Sequence, residues 1–140
     1  IPVGKAEIKR EGKRIAILAF GSVVYACQEV GDIIDATVVN MRFVKPLDEL
    51  MIKSLCSEHE IIVTVEENVI QGGAGSAINE FIAENDIDVN VYNFGLPDRL
   101  IPHGSQDDML EDAGLTKEGV LSFIESHINL SVITNAVKTA

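Results

Sequence analysis

The sequence predicts a three-layer α/β domain in which helices cover both faces of a mostly parallel sheet. Four short runs rich in Ile and Val are bounded by Gly, Asp and Asn and are too short for helices, so they are predicted to be strands. These runs are Ile15–Phe20, Ala36–Met41, Ile61–Val65 and Val89–Phe94. The segments between them place apolar residues at helical spacing. Strands that are apolar along their whole length and alternate with helices are typical of a parallel sheet buried on both faces.

Length and charge restrict the class of protein further. A chain of 140 residues, 46% of them apolar, predicts one globular domain. The formal net charge of −11 would repel phosphate backbones and anionic lipid headgroups, so neither nucleic acid nor a membrane is an expected partner. The longest apolar run, Ile15–Phe20, is far shorter than the roughly 20 residues of a membrane span, and no signal-like segment opens the chain. A cytoplasmic location is therefore expected.

A more polar stretch, Ala6–Arg10, precedes the first apolar strand and is predicted to be an edge strand. Read locally, the dipeptide Glu11-Gly12 would turn this stretch back into a hairpin with Ile15–Phe20. The local pattern therefore favours an edge strand beside the first apolar strand.

The helices carry recognisable start signals. The first is expected to be capped by Ser22, and the second by Asp48, with Leu47 and Ile52 forming a hydrophobic staple. A third helix follows the glycine-rich segment that ends at Ser76.

Two further helices are predicted after the last strand, over residues 105–114 and 116–129. Residues 130–140 have no cap and no clear periodicity. We therefore expect one domain over residues 1–129 and a tail or extension over residues 130–140.

The two cysteines, Cys27 and Cys56, both fall inside amphipathic stretches, 29 residues apart. This spacing matches neither a CxxC redox pair nor a metal knuckle. Both are expected to be small buried hydrophobic residues.

The stretch with the most potential for chemistry is residues 66–76, which read EENVIQGGAGS. It joins the end of a predicted strand to the start of a helix, so it lies at the carboxyl edge of the sheet, where open α/β sheets bind ligands. Its Gly72-Gly73-Ala74-Gly75 run lacks the spacing of a dinucleotide fingerprint and the Lys of a P-loop. A contact loop with at least one positive-φ glycine is favoured over an anion cradle. Glu66 and Glu67 are expected to be solvated or interface carboxylates rather than an acid–base pair.

The strand order is expected to reverse between Ile15–Phe20 and Ile61–Val65, which opens a crevice at the same edge. Gly21-Ser22 and Glu66-Glu67 should meet across it. Ser22 is not the nucleophile of a G-x-S-x-G elbow, because Val24 stands where the second glycine is needed, so a serine hydrolase is disfavoured.

Three charged or titratable side chains near this edge are candidates for contacts. Arg42 and Lys45 follow the second apolar strand and could pair with Glu66 or Glu67. Among the histidines, His103 lies in a loop at this edge and is the one candidate for a functional contact. From the residues alone, a free-standing flavodoxin-like or Rossmann-like module that binds a nucleotide or flavin stays open as an alternative.

Five stretches, in this order and at this spacing, carry a resemblance to a known family. They are Ile1-Pro2-Val3-Gly4-Lys5, Arg42-Phe43-Val44-Lys45-Pro46-Leu47-Asp48, Val63-Thr64-Val65-Glu66-Glu67-Asn68, Gly72-Gly73-Ala74-Gly75-Ser76 and Gly95-Leu96-Pro97-Asp98. Together they resemble the C-terminal domain of the 1-deoxy-D-xylulose-5-phosphate synthase family, which has the transketolase C-terminal fold. The resemblance covers about residues 1–129 and indicates that the chain is a domain fragment.

The resemblance implies a transferase that depends on thiamine diphosphate and Mg²⁺. Its reaction would condense pyruvate with glyceraldehyde 3-phosphate to 1-deoxy-D-xylulose 5-phosphate plus CO₂, at the start of isoprenoid precursor synthesis. In the family the cofactor and metal are held by the N-terminal and middle domains, so no catalytic, cofactor-binding or metal-binding residue is expected here. The fragment alone is expected to be inactive, and the parent enzyme to be a homodimer.

The resemblance also implies an architectural role and a different place for the first strand. It sets Ala6–Arg10 antiparallel beside Ala36–Met41, and we follow it: a five-stranded, mostly parallel sheet with one antiparallel edge strand. Contacts with the missing domains or the partner subunit are expected at the carboxyl edge. The candidate interface or crevice residues are Gly21, Ser22, Glu66, Glu67, Asn68, Gly72, Gly73, Gly75, Ser76 and His103.

Overall fold

A computed structural model describes residues 3–43, 45–66, 73–95 and 116–128. In chain order these residues form β1 (Glu7–Arg10), β2 (Ile15–Phe20), α1 (Val24–Ile34), β3 (Thr37–Asn40), α2 (Glu49–Glu58), β4 (Ile61–Glu66), α3 (Ala74–Glu84), β5 (Asn90–Gly95) and α4 (Lys117–His127). The helix predicted over residues 105–114 and the tail over residues 130–140 lie outside the described residues. The five predicted strands and the other four predicted helices are confirmed.

The sheet is mostly parallel, and its strand order is β1-β3-β2-β4-β5. β2 pairs in parallel with β3 on one side and β4 on the other, and β4 pairs in parallel with β5. β1 pairs antiparallel with β3, with Glu7 opposite Asn40. The local expectation of a hairpin between β1 and β2 is therefore wrong, and the placement implied by the family resemblance is confirmed.

Long-range contacts explain why β1 does not form the hairpin. The Arg10 guanidinium donates to the carboxylates of Asp32 and Asp35 and to the carbonyl of Ala36, which ties β1 to the turn between α1 and β3. Gly12 lies against the same turn: a Cβ at this position would be 2.4 Å from the Asp35 carbonyl oxygen. Gly12 is therefore a close-packing residue rather than a hairpin turn.

Helices cover both faces of the sheet, as the apolar strands predict. Alternate residues of β2 point to opposite sides. Ile15, Ile17 and Ala19 pack in one hydrophobic core with residues of α1 and α4. Leu18 and the other alternate residues pack in a second core with residues of α2 and α3. The architecture is a three-layer α/β/α sandwich.

Helix starts depend on different interactions. Asp48 caps α2 as predicted: its carboxylate accepts a hydrogen bond from the Met51 amide at 3.1 Å. The N-cap position of α1 is Val23, one residue after the predicted Ser22, and the Val23 side chain makes no cap. Val23 and Val24 are buried in the first core, so burial of their side chains sets where this helix begins.

Both cysteines are buried and free, as expected. Burial raises the pKa of the Cys27 thiol to about 12 and also raises the pKa of Cys56. Among the helices described here, none is long and apolar enough to cross a bilayer.

Candidate site at the carboxyl edge of the sheet

The strand order reverses where the sequence predicts. β2 lies between β3 and β4, so the chain moves to one side of β2 for β3 and to the other side for β4. In the ladder between β2 and β4, Phe20 is opposite Glu66. Gly21 and Ser22 follow Phe20, so they and Glu66 lie at neighbouring strand ends. Gly21 has φ of 89°, a conformation that suits glycine and lets the chain leave the sheet.

The Glu66 carboxylate accepts hydrogen bonds from two amides at the start of α3. Its Oε1 accepts a hydrogen bond from the Ala74 amide at 3.2 Å, and its Oε2 accepts one from the Gly75 amide at 2.7 Å. The residue is only 7% exposed. The N-cap residue Gly73 has no side chain that could cap α3, and Glu66 supplies the acceptor from the preceding strand. We call this arrangement the Glu66 clamp.

The Glu66 clamp shows that the expected environment of Glu66 is wrong, and it also bears on whether the start of α3 binds an anion. Glu66 is not a solvated or interface carboxylate, because it is buried and bonded within its own domain. The helix N-terminus is the part of this loop best suited to an anion, and it already has a negative charge against it. A phosphate there would have to displace Glu66 or meet its repulsion. The contact-loop interpretation is favoured over the anion cradle.

The glycines near the clamp differ in their roles. Gly73 has φ of −73°, and Gly75 lies in the first turn of α3 with no positive φ. The expectation of at least one positive-φ glycine in this run now depends on Gly72, which lies outside the described residues. A Cβ on Gly75 would lie 2.9 Å from the Asn93 side-chain oxygen. Gly75 therefore allows α3 to lie against β5, which is a contact inside the domain.

A polar network that the sequence analysis missed lies beside Gly75. The Thr64 hydroxyl donates to the Asn93 side-chain oxygen at 2.6 Å, and the Asn93 amide donates to Asn79 at 3.2 Å. Thr64 is fully buried in β4. The available signal was a lone polar residue within an apolar strand, which implies a buried hydrogen-bond partner.

Asp48 has a second role that its position in the sequence did not reveal. Besides capping α2, its carboxylate accepts a hydrogen bond from the Ala6 amide at 2.8 Å. Ala6 directly precedes β1, so one buried carboxylate fixes both the edge strand and the start of α2.

Neither of the two cations predicted near the site forms an ion pair with Glu66 in the part of the chain that the structure describes. Arg42 pairs with Glu7 of β1 at 2.6 Å, not with Glu66. The Lys9 ammonium, through a hydrogen bond and its charge, and the Arg42 guanidinium hold the pKa of Glu7 below its usual value. Lys45 is exposed.

The remaining candidate residues have the following positions. Ser76 is exposed in the first turn of α3, and Gly73 is half-buried. The structure therefore brings Gly21, Ser22, Glu66 and the start of α3 to one edge of the sheet. Glu67, Asn68, Gly72 and His103 lie outside the described residues.

The described residues do not fit a thiamine diphosphate and metal group. Within these ranges, no cluster of three His, Cys, Asp or Glu side chains could hold a metal ion. The α3 amides that would suit a diphosphate are bonded to Glu66. The buried His59 is also engaged, with Nε2 2.7 Å from the Thr37 hydroxyl and Nδ1 2.8 Å from the Leu55 carbonyl.

Comparison with known proteins agrees with this geometry. Residues 4–120 match the family described as transketolase, C-terminal domain. A 1-deoxy-D-xylulose-5-phosphate synthase from Nitrosomonas europaea is 52% identical over 130 residues, covering 93% of this chain and 21% of that protein. The protein of the same name from Thioalkalivibrio sulfidiphilus is 47% identical over 129 residues, covering 92% of this chain and 20% of that protein.

Solved structures show the same fold. A structure titled "Split gene transketolase, inactive beta4 tetramer" has a TM-score of 0.81 and 27% identity, and the match covers 93% of this chain and 44% of that one. A 2-oxoglutarate:ferredoxin oxidoreductase from Magnetococcus marinus, at 12% identity and a TM-score of 0.56, shares the fold alone; the match covers 87% of this chain and 19% of that one. This chain spans about a fifth of the length of the synthases it matches. The chain belongs to the transketolase C-terminal domain family.

Proposed function

We propose that this chain is the C-terminal domain of a 1-deoxy-D-xylulose-5-phosphate synthase. The full-length enzyme would condense pyruvate with glyceraldehyde 3-phosphate and release CO₂, using thiamine diphosphate and Mg²⁺ held by its other domains. The observation that carries this proposal is the 52% identity over 93% of the chain to a relative with that name. The enzyme would be cytoplasmic and would act as a homodimer.

The role of this domain within the enzyme would be architectural. The Glu66 clamp supports this role, because it uses the helix amides that a ligand-binding α/β domain would keep open. The exposed candidate residues at the carboxyl edge, such as Ser76, would contact neighbouring domains or the partner subunit, not substrate.

An activity assay with two proteins tests the proposal. The first is the full-length protein that carries this sequence, and the second is the 140-residue chain. Each is supplied with pyruvate, glyceraldehyde 3-phosphate, thiamine diphosphate and Mg²⁺, and 1-deoxy-D-xylulose 5-phosphate is measured. We expect product from the full-length protein only.

Two outcomes would contradict the proposal. A full-length protein that consumes pyruvate without making this sugar phosphate would reject the reaction. Saturable binding of flavin mononucleotide to the 140-residue chain would instead favour the free-standing binding module.

A further inference from the structure

A groove of about 520 Å³ lies between the segment before β1 and the start of α2. Gly4 and Lys5 line one wall, and Lys45, Pro46 and Leu50 are among the residues of the other. We call it the α2 groove. β1 is antiparallel to β3, so the segment before β1 lies at the carboxyl edge of the parallel strands, together with the start of α2. The α2 groove is therefore at the same edge as the Glu66 clamp.

The walls of the α2 groove are held together before anything binds. The Asp48 carboxylate accepts hydrogen bonds from the Ala6 amide on one side and from the Met51 amide on the other. Gly4 has φ of 75°, and a Cβ there would be 2.9 Å from the Pro46 ring. A groove whose walls are fixed in this way binds with little ordering cost.

Two large apolar side chains stand exposed beside the α2 groove. Leu50, which lines it, is 72% exposed, and Val3, next to Gly4, is 74% exposed. Single exposed apolar residues are common, but two flanking one preformed groove indicate a contact surface. Lys5 and Lys45 are exposed at the rim and form no ion pair with the described residues. The groove lining also includes the exposed carboxylate of Glu49 and the buried carboxylate of Asp48, so its charges are mixed, and the exposed apolar side chains are what mark it as a contact surface.

The length of the relatives favours a domain of the same protein as the occupant of the α2 groove. The synthases are about five times as long as the matched region, and that region is the C-terminal domain of its family. In such a protein the preceding chain enters this domain beside Val3, one residue from the groove wall. A domain tethered this closely is present at a high effective concentration, roughly millimolar for a short linker.

We infer that the α2 groove is the docking surface for the domain that precedes this one in the full-length protein. The docked surface places apolar side chains against Leu50 and Val3. This inference rests on the proposed function for the existence of that preceding domain.

Thiol protection in the full-length protein tests the inference. Leu50→Cys introduces a thiol at the groove, and Ile33→Cys introduces a control thiol on α1, which covers the opposite face of the sheet, at a side chain that is 56% exposed. Cys27 and Cys56 are buried and do not compete. The rate of maleimide modification is measured for each introduced thiol by peptide mass spectrometry, in native and in denatured protein. We expect the native rate, relative to the denatured rate, to be at least about tenfold lower for Leu50→Cys than for Ile33→Cys.

A smaller difference between the two thiols would overturn the inference, because Leu50 would then be as accessible as the control. Protection of Leu50→Cys that disappears on dilution would also overturn it, since a second copy would be the occupant. The synthase activity of the unsubstituted full-length protein is measured in parallel. An active enzyme with an unprotected Leu50→Cys thiol rejects the docking surface alone, whereas a protected thiol in a protein without that activity rejects the proposed function alone.

Discussion

Glu66 performs a task that helix caps usually leave to the residue at the N-cap position. The N-cap of α3 is Gly73, which has no side chain, so two amides at the helix start would lack partners. The Glu66 carboxylate satisfies both from the end of β4. It thereby also ties the end of β4 to the start of α3.

Removing the clamp should destabilise the domain. We expect Glu66→Ala to lower the free energy of unfolding by about 2–3 kcal/mol, because two charge-assisted hydrogen bonds to buried amides are lost. Glu66→Gln should lose about half as much, since the Gln oxygen still accepts from one amide. Glu84→Ala, at the exposed end of α3, should change stability by less than about 0.5 kcal/mol. Urea unfolding measures all three, and equal effects for Glu66→Ala and Glu84→Ala would contradict the clamp.

We expect Cys27 to make the free energy of unfolding fall as the pH rises through the alkaline range. Burial raises the pKa of its thiol from 9.0 to about 12 in the folded protein. The unfolded chain ionises first, so the stability that this group contributes is full below pH 9 and is lost between pH 9 and about 12. We expect Cys27 to contribute a decrease in the free energy of unfolding of up to about 1.4 kcal/mol per pH unit. Cys27→Ala should lack this part in unfolding experiments from pH 8.5 to 10.5, and parallel curves for the two proteins would refute it.

At the scale of elements, β1 depends on long-range contacts rather than on its neighbour in sequence. Arg10 bonds the turn before β3, Glu7 pairs with Arg42 after β3, and the Ala6 amide donates to Asp48. These contacts account for the position of β1 as an edge strand that pairs with β3.

The double role of Asp48 predicts a graded effect of substitution. We expect Asp48→Ala to cost about 2–3 kcal/mol of stability, because both the α2 cap and the Ala6 amide lose their acceptor. Asp48→Asn keeps a good capping residue and should cost about 1 kcal/mol. Glu49→Ala, which changes the exposed residue next to Asp48, is the control. Thermal unfolding ranks the three variants, and an Asp48→Ala protein as stable as the control would show that the carboxylate does not fix this end of the domain.

Close packing at Gly12 gives a sharper test of where β1 lies. A Cβ there would be 2.4 Å from the Asp35 carbonyl oxygen, so Gly12→Ala must move backbone and should cost roughly 2–4 kcal/mol. A hairpin turn at Glu11-Gly12 would not contact Asp35. An exposed neighbour, Glu11→Ala, serves as the comparison in denaturant unfolding. Equal stability of the two variants would argue against the packing described here.

For the whole molecule, the pattern of apolar residues along the sequence predicts most of the fold. Ile15–Phe20 is buried along its entire length, and this property of the sequence predicts a central parallel strand covered on both faces. The position of β1 could not be predicted locally, because a hairpin and an added edge strand share the same turn residues. Only contacts across 22 to 26 residues, such as those from Arg10 to Asp32 and Ala36, distinguish them.

The position of the site could be predicted from the sequence, but its hydrogen bonds could not. Strand ends and glycines located Gly21 and Glu66 at the switch point of the sheet. A carboxylate at the end of a strand has the same local pattern whether it faces solvent or bonds the amides of a helix eight residues later. The direction of α3 relative to β4 decides between the two, and that direction is a property of the folded domain.

We propose that this domain supports a thiamine enzyme without itself holding the cofactor. Calorimetric titration of the 140-residue chain with thiamine diphosphate and Mg²⁺ tests it most directly, with a cooperative thermal transition in the same sample showing that the chain is folded. We expect no saturable heat up to about millimolar cofactor, and a millimolar Kd corresponds to only about 4 kcal/mol of binding free energy. Saturable binding at micromolar concentration would contradict it.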